Sequence, residues 1–241
     1  MLYHSPPFCC RCGTAMPIDS SPLPCSGLLL SGGRGQRMGG QDKGLLLWQG
    51  RPLIAHMHAV VRALSDDLII SCNRNQDAYR AYADQLVGDA APDFPGPLAG
   101  VIAGLAAARH DWGVVLACDA PLIDPVLIEE LLQLAVTGNS AAMVRQGQQW
   151  QPMFCVIPVR QQASLQAAWQ AGERSLLRAL LEHPLQAVEC AEEDRRLSNF
   201  NTPQWLGQEG FCVVCEGLFA GPARSYRGLR EPSGSGLDPR G

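Results

Sequence analysis

The chain has 241 residues, 46% of them hydrophobic and 17% charged, with 19 basic against 23 acidic side chains and a formal net charge of −4. That apolar content supports a buried core and excludes wholesale disorder. The acidic balance argues against a general nucleic-acid or membrane-surface binder, which carries a basic excess, and no apolar run reaches the ~18 residues of a spanning helix.

Residues 1–25 are rich in Pro, Ser and Cys, show no periodicity and read as a disordered extension, with Met16 as a second candidate start. No basic region leads into an apolar stretch and a small-residue cleavage site, so a cytoplasmic address is expected. Residues 26–31 form a short apolar run ending in glycines, as a buried parallel strand does. Pro52 then opens a helix whose inner face carries Leu53, Met57, Val60, Val61 and Leu64. A second strand is expected over 67–72, an Ala/Gly-rich helix over 98–109, and a third buried strand over 113–118, ending at Asp119. A helix over 125–136 follows, then strands over 141–145 and 153–157 and helices over 159–171 and 174–183. This alternation predicts an α/β fold with a parallel sheet covered by helices on both faces. Ligands in such folds bind at the carboxyl ends of the strands, where the glycine loop and Asp119 share one crevice. From residue 208 to 241 the composition turns to Gly, Pro, Ser and Arg and reads as a disordered tail, leaving 26–207 as the folded domain.

Ten cysteines divide into two groups. Cys25, Cys72, Cys118, Cys155 and Cys190 are scattered singly and read as buried free thiols of a reduced compartment. Cys9, Cys10, Cys12, Cys212 and Cys215 sit at the ends; Cys9 with Cys12 and Cys212 with Cys215 have the CxxC spacing of zinc ligands, but some 200 residues separate the pairs, which argues against a shared site. His56, His58, His110 and His183 fall on or beside helical stretches and read as fillers, and the scattered Trp and Tyr residues form no stacking platform for nucleic acid.

The chain holds 18 arginines but a single lysine, Lys43. It sits in SGGRGQRMGGQDKG, residues 31–44, beside Arg34, Arg37 and Arg51 with only Asp42 opposing them. Lysine is a compact point charge on a flexible stem, suited to reach into a triphosphate where the wide guanidinium fork does not fit. The loop is not a Walker A motif, because Lys43 follows Asp42 and precedes Gly44 instead of lying between Gly and Ser/Thr. Nor is it a dinucleotide fingerprint, because Met38 occupies the third glycine position. What remains is a glycine-lined backbone able to wrap phosphates with its N–H groups.

The segment LLLSGGRGQRMGGQDKGLL (28–46) resembles the signature of the MobA-like nucleotidyltransferases, roughly LAGGxxxRMGGxDK. Further segments agree in order: DLIISCNRNQ (67–76), DFPGPLAGV (93–101), LACDAPLID (116–124), QPMFCVIP (151–158), GERSLLRALL (172–181) and NFNTPQWL (199–206). The likeness covers about 26–206 and is strongest to those members that act on the molybdenum cofactor with a guanine nucleotide. Ser31 stands where Ala is usual, and Ser71 where Asn often contacts the base.

The resemblance implies a three-layer, Rossmann-like fold of the nucleotide-diphospho-sugar transferase type with a mostly parallel sheet. It implies transfer of GMP from GTP to the terminal phosphate of molybdenum-bound molybdopterin, with release of pyrophosphate. Arg37, Lys43 and Asp119 are then the catalytic residues, with Asp119 holding Mg2+. Leu30, Ser31, Gly32, Lys43, Ser71, Asp89 and Asp119 are the nucleotide-binding residues, Asp89 accepting hydrogen bonds from guanine. Asn199 and Asn201 are the pterin-binding pair. The expected protein partners are those that deliver the cofactor and those that accept it, the molybdoenzymes. Both reactants are polyanions, so charge neutralisation and in-line positioning carry catalysis. A cytidylyltransferase acting on the same cofactor is the nearest alternative, a sugar-phosphate nucleotidylyltransferase a more distant one, and a non-catalytic nucleotide-binding protein the alternative from another class.

Overall fold

The computed structural model describes residues 23–31, 41–88 and 96–200. The extension before residue 23 and the tail beyond 207 therefore lie outside the described residues, as do all five terminal cysteines.

Three uncharged runs make the centre of the sheet. They are β1 (Ser26–Leu30), the apolar part of β4 (Asp67–Ser71) and most of β6 (Trp112–Ala117). Alternate residues of each face opposite sides. Leu29, Leu68, Ile70, Val114 and Leu116 enter one apolar cluster, with α1 (Leu53–Arg62) and α4 (Pro125–Gly138). Leu28, Leu30, Ile69 and Val115 enter a second, with α3 (Pro97–Ala107), α5 (Gln162–Gln170) and α6 (Leu176–Leu181). Two cores separated by a doubly buried sheet are the three layers expected. Complete burial of strands on both faces is what lets them read as near-continuous apolar runs.

Among the described residues the main sheet has seven strands in the order β5 (Gln85–Val87), β4, β1, β6, β8 (Gln149–Pro158), β7 (Ala141–Gln146), β9 (Leu185–Cys190). The pairs β5–β4, β4–β1, β1–β6 and β7–β9 are parallel. Strand β8 is antiparallel to both neighbours. The simple alternation expected from sequence fails here for a local reason. Only Gly147 and Gln148 separate β7 from β8, and Gly147 takes φ of 56°. Two residues suffice for a hairpin but not for a crossover, so the second strand must return antiparallel.

Other boundaries move slightly. The helix expected over 159–171 begins as a 3₁₀ turn, Val159–Gln161, before α5. The one expected over 174–183 shortens to Leu176–Leu181, where Ser175 accepts a hydrogen bond from the Arg178 N–H. Strands β5 and β9 at the sheet edges escape sequence reading, being short or only half-buried. A two-residue hairpin, β2 (Leu47–Trp48) with β3 (Arg51–Pro52), turns through Gln49 and Gly50 at positive φ and leads directly into α1. The remaining short helix, α2 (Gln76–Tyr79), follows β4.

The five internal cysteines are free; four are buried and Cys190 is partly so. Burial pushes the Cys118 thiol up to about 12, so it stays protonated and inert at neutral pH. The histidines are not the partnerless fillers expected. His56 Nε2 lies 3.0 Å from Trp48 O, His110 Nε2 2.6 Å from Asp66, and His183 Nε2 3.1 Å from Ser164 Oγ. These contacts tie α1 to β2, one loop to another, and the end of α6 to α5.

Candidate active site

Register aligns the carboxyl ends of the central strands: Leu30 sits level with Ser71 on β4 and with Ala117 on β6. The next residues inherit that level. The Ser31 N–H donates to Ser71 O at 2.8 Å, and the Cys118 N–H donates to Leu30 O at 3.2 Å. Ser31, Ser71 and Asp119 are all buried at the carboxyl ends of β1, β4 and β6. Gly32 and Arg37, within the glycine loop, lie outside the described residues, which resume at Gln41.

The chain re-enters through a one-turn 3₁₀ helix, Lys43–Leu45. Asp42 caps it, accepting from the Gly44 N–H at 3.3 Å. This turn presents the sole lysine to β6. Lys43 Nζ stands 3.2 Å from Asp119 Oδ2, with side-chain exposures of 28% and 11%. Residues 76 positions apart in sequence thus form one partly buried ion pair at the strand ends. Being largely shielded but still open, the pair can exchange its mutual attraction for an incoming phosphate and its counter-ion.

The end of the described chain closes over the same place. The Phe200 N–H donates to Asp119 O at 2.8 Å, and the Phe200 ring packs edge-on against Trp48 with centroids 5.2 Å apart. Asn199 immediately precedes this anchor. Its Oδ1 is buried and has no hydrogen-bond partner among the described residues, a state that costs free energy and that a bound polar group relieves. Of the residues expected from sequence, Leu30, Ser31, Lys43, Ser71, Asp119 and Asn199 therefore gather around the ends of β1, β4 and β6. Gly32, Arg37, Asp89 and Asn201 lie outside the described residues. Arg51, expected beside the loop cations, instead sends its Nη2 to Ala55 O at 3.3 Å on α1.

Two residues near the site went unassigned by sequence reasoning. Asp42 reads in sequence as the charge opposing the loop cations. In the structure it is a hub, accepting from Tyr79 Oη at 2.5 Å and Asn75 Nδ2 at 3.0 Å, with Arg74 Nε 3.7 Å away. Tyr79 is fully buried and also takes a short hydrogen bond from Ser31 Oγ. No periodicity announces these roles, because Tyr79 is 37 residues from Asp42 and the link is tertiary.

A mostly parallel sheet buried on both faces, with a lysine and an aspartate gathered at its carboxyl ends, is a Rossmann-like α/β fold. Comparison with solved structures agrees on the fold. Molybdopterin-guanine dinucleotide biosynthesis protein A from Archaeoglobus fulgidus superposes with a TM-score of 0.60 at 22% identity, over 75% of this chain and 94% of that one. The 2-C-methyl-D-erythritol 4-phosphate cytidylyltransferase from Thermus thermophilus gives 0.59 at 16% identity, over 76% and 96%. The MobA-like NTP transferase domain matches residues 27–187. A molybdenum cofactor guanylyltransferase of Pseudomonas putida is 73% identical over 188 residues, covering 78% of this chain and 98% of its own. That of Pseudomonas entomophila is 65% identical over 194 residues, covering 80% and 98%. The chain belongs to the MobA-like nucleotidyltransferases, in the molybdenum cofactor guanylyltransferase family.

Proposed function

We propose that the protein transfers GMP from GTP to the terminal phosphate of molybdenum-bound molybdopterin, forming the guanine dinucleotide cofactor and releasing pyrophosphate. The observation that carries this reading is the Lys43–Asp119 pair, 3.2 Å apart at the carboxyl ends of the sheet. The reaction joins two polyanions, so the protein's task is to neutralise charge and align an oxygen with the α-phosphorus. Backbone groups of Leu30, Ser31 and Gly32 hold the nucleotide, with Ser71 beside them. Lys43 and Arg37 balance the triphosphate and the departing pyrophosphate. Asp89 accepts from the guanine N1–H and amino group, and Asn199 and Asn201 bind the pterin. The unpartnered Oδ1 of Asn199 supports that placement.

The residues present suit a divalent cation brought in with the phosphates. Asp119 offers a hard oxygen donor, and no cluster of three His, Cys, Asp or Glu side chains exists among the described residues to hold a metal alone. Mg2+ is commonly held in this way, by one or two carboxylates plus substrate phosphates. When bound to Asp119, it supplies charge neutralisation at the phosphate oxygens. Lys43, beside Asp119, would supply the second positive charge to the triphosphate.

No helix among the described residues is long and apolar enough to cross a membrane. We place the enzyme in the cytoplasm, where the described cysteines would remain the free thiols seen here. Proteins that deliver the cofactor and molybdoenzymes that accept it are its partners.

The test is incubation with molybdenum-loaded molybdopterin, Mg2+ and each nucleoside triphosphate in turn. GTP is expected to yield pyrophosphate and a product one GMP heavier. Turnover with CTP but not GTP would reassign the enzyme as a cytidylyltransferase, and nucleotide binding without turnover would make it a non-catalytic binder.

A further inference from the structure

We propose that Tyr79 is a positioning residue for Lys43: its buried phenol bridges Ser31 and Asp42 and thereby sets the turn that aims the ammonium at Asp119. The proposal rests on the reading of Lys43 as the cation that meets the triphosphate.

The phenol links three separate segments. Tyr79 closes α2, after β4. Its hydroxyl donates to Asp42 Oδ1 at 2.5 Å and accepts from Ser31 Oγ at the end of β1. Asp42 directly precedes Lys43, and its carboxylate also holds the Gly44 N–H at 3.3 Å. A continuous path of hydrogen bonds therefore runs from the central strand through Tyr79 and Asp42 to the turn that bears the lysine. The turn itself is only Lys43–Leu45, closed by Leu45 N–H to Asp42 O and Leu46 N–H to Lys43 O, both at 3.1 Å. So short an element has little rigidity of its own and takes its orientation from what holds Asp42.

Contact with Gly44 supports the same conclusion. A Cβ at that position would strike the Tyr79 hydroxyl and lie 2.9 Å from Ser31 Oγ. The phenol is thus packed directly against the turn's backbone, and the residue after the lysine has no side chain to keep it away. Apolar filling of the core does not account for the hydroxyl. Tyr79 has no exposed surface, and phenylalanine would fill the same space without burying a polar group. Burial raises the phenol far above its ordinary pKa, so it stays a neutral donor to the carboxylate.

Lys43 is the only lysine in the chain, so labelling lysine with 13C at the ε carbon gives a single lysine side-chain resonance. Tyr79→Phe keeps the ring and removes the bridge. We expect that resonance to move in Tyr79→Phe towards its position in Asp119→Asn, and GTP binding to weaken about tenfold. In a Lys43→Ala background the same change is expected to alter GTP affinity less than about twofold, because the group it positions is gone. An unmoved resonance, or an equal loss of affinity in both backgrounds, would overturn the proposal and leave Tyr79 a structural residue. Should Tyr79→Phe fail to fold, Asp42→Asn weakens the same bridge from its other end and is judged by the same resonance. The resonance is read without nucleotide, so a shift in a protein that binds no GTP would sink the proposed function while leaving the positioning role standing.

Discussion

Two aspartates stand at opposite ends of the same central strands, and their surroundings differ sharply. Asp67 opens β4 and is fully buried. Its carboxylate accepts from Ser26 Oγ at 2.6 Å, Arg109 N and Nε at 2.9 Å each, and Gln85 Nε2 at 3.2 Å. Burial pushes its pKa up, but these donors outweigh burial and hold it below the ordinary value. Asp119 follows β6 and meets the ammonium of Lys43 at 3.2 Å in a pair still partly open to solvent. A saturated carboxylate has nothing left to offer a ligand and serves the fold. A carboxylate balanced by one movable cation keeps lone pairs for a ligand. The two ends of one sheet therefore separate stability from chemistry, as sites at strand carboxyl ends require.

Breaking that separation is the purpose of the first test. Asp119→Asn is expected to lower GMP transfer by about 10²–10³-fold, the scale of losing one preorganised charge at a reacting phosphoryl group. Its thermal unfolding midpoint should stay close to that of the parent. Calorimetry beside pyrophosphate release checks both, and a large loss of stability with activity retained would reverse the roles of the two ends.

The converse substitution, Asp67→Ala, leaves the buried donors of Ser26 and Arg109 unpaired. It should cost about 3 kcal/mol by urea unfolding, while the folded fraction keeps its turnover. A lesion at neither end sharpens the contrast. Gly104 on α3 lies so close to Leu28 that a Cβ would collide with that side chain in the core. Gly104→Ala is expected to cost about 2 kcal/mol without changing the KM for GTP.

Acid titration adds a smaller effect with a definite sign. Because the Asp67 pKa is depressed in the fold, its stabilisation is complete above the unfolded value near ~3.9 and is lost as pH falls through the lower native value. The parent should lose stability below pH ~4 more steeply than Asp67→Ala, as followed by circular dichroism. The smallest effect belongs to Glu173, whose pKa is held down to about 2 mainly by the largely exposed Arg178. Glu173→Gln should lower unfolding stability by less than about 1 kcal/mol, because the exposed Arg178 leaves the pair screened by solvent, and should leave turnover unchanged.

Much of this was legible in the chain. The strands of the centre announce themselves because burial on both faces demands uninterrupted apolar runs, as in Leu28–Leu30, Leu68–Ile70 and Val114–Leu116. The helix expected from Pro125 begins there as α4, and the structure adds its cap, the Asp124 carboxylate accepting from the Leu127 N–H at 2.9 Å. Lys43 stood out as the lone lysine and Asp119 as the charge ending an apolar strand. The edges were not legible. Strands β5 and β9 are held by one neighbour each and carry polar residues such as Gln85 and Glu189. Nor was the service of Asp42 and Tyr79 to the site visible, since neither repeats at a helical or strand spacing.

Composition and local pattern determined the layers, the central strands, and the identity of the cation and carboxylate that end up facing each other, because these follow from burial and from charge placed beside glycine. The bridge from Ser31 through Tyr79 to Asp42 and the 3.2 Å approach of Lys43 to Asp119 were decided only by the tertiary structure. Each depends on segments far apart in the chain whose meeting no local preference encodes.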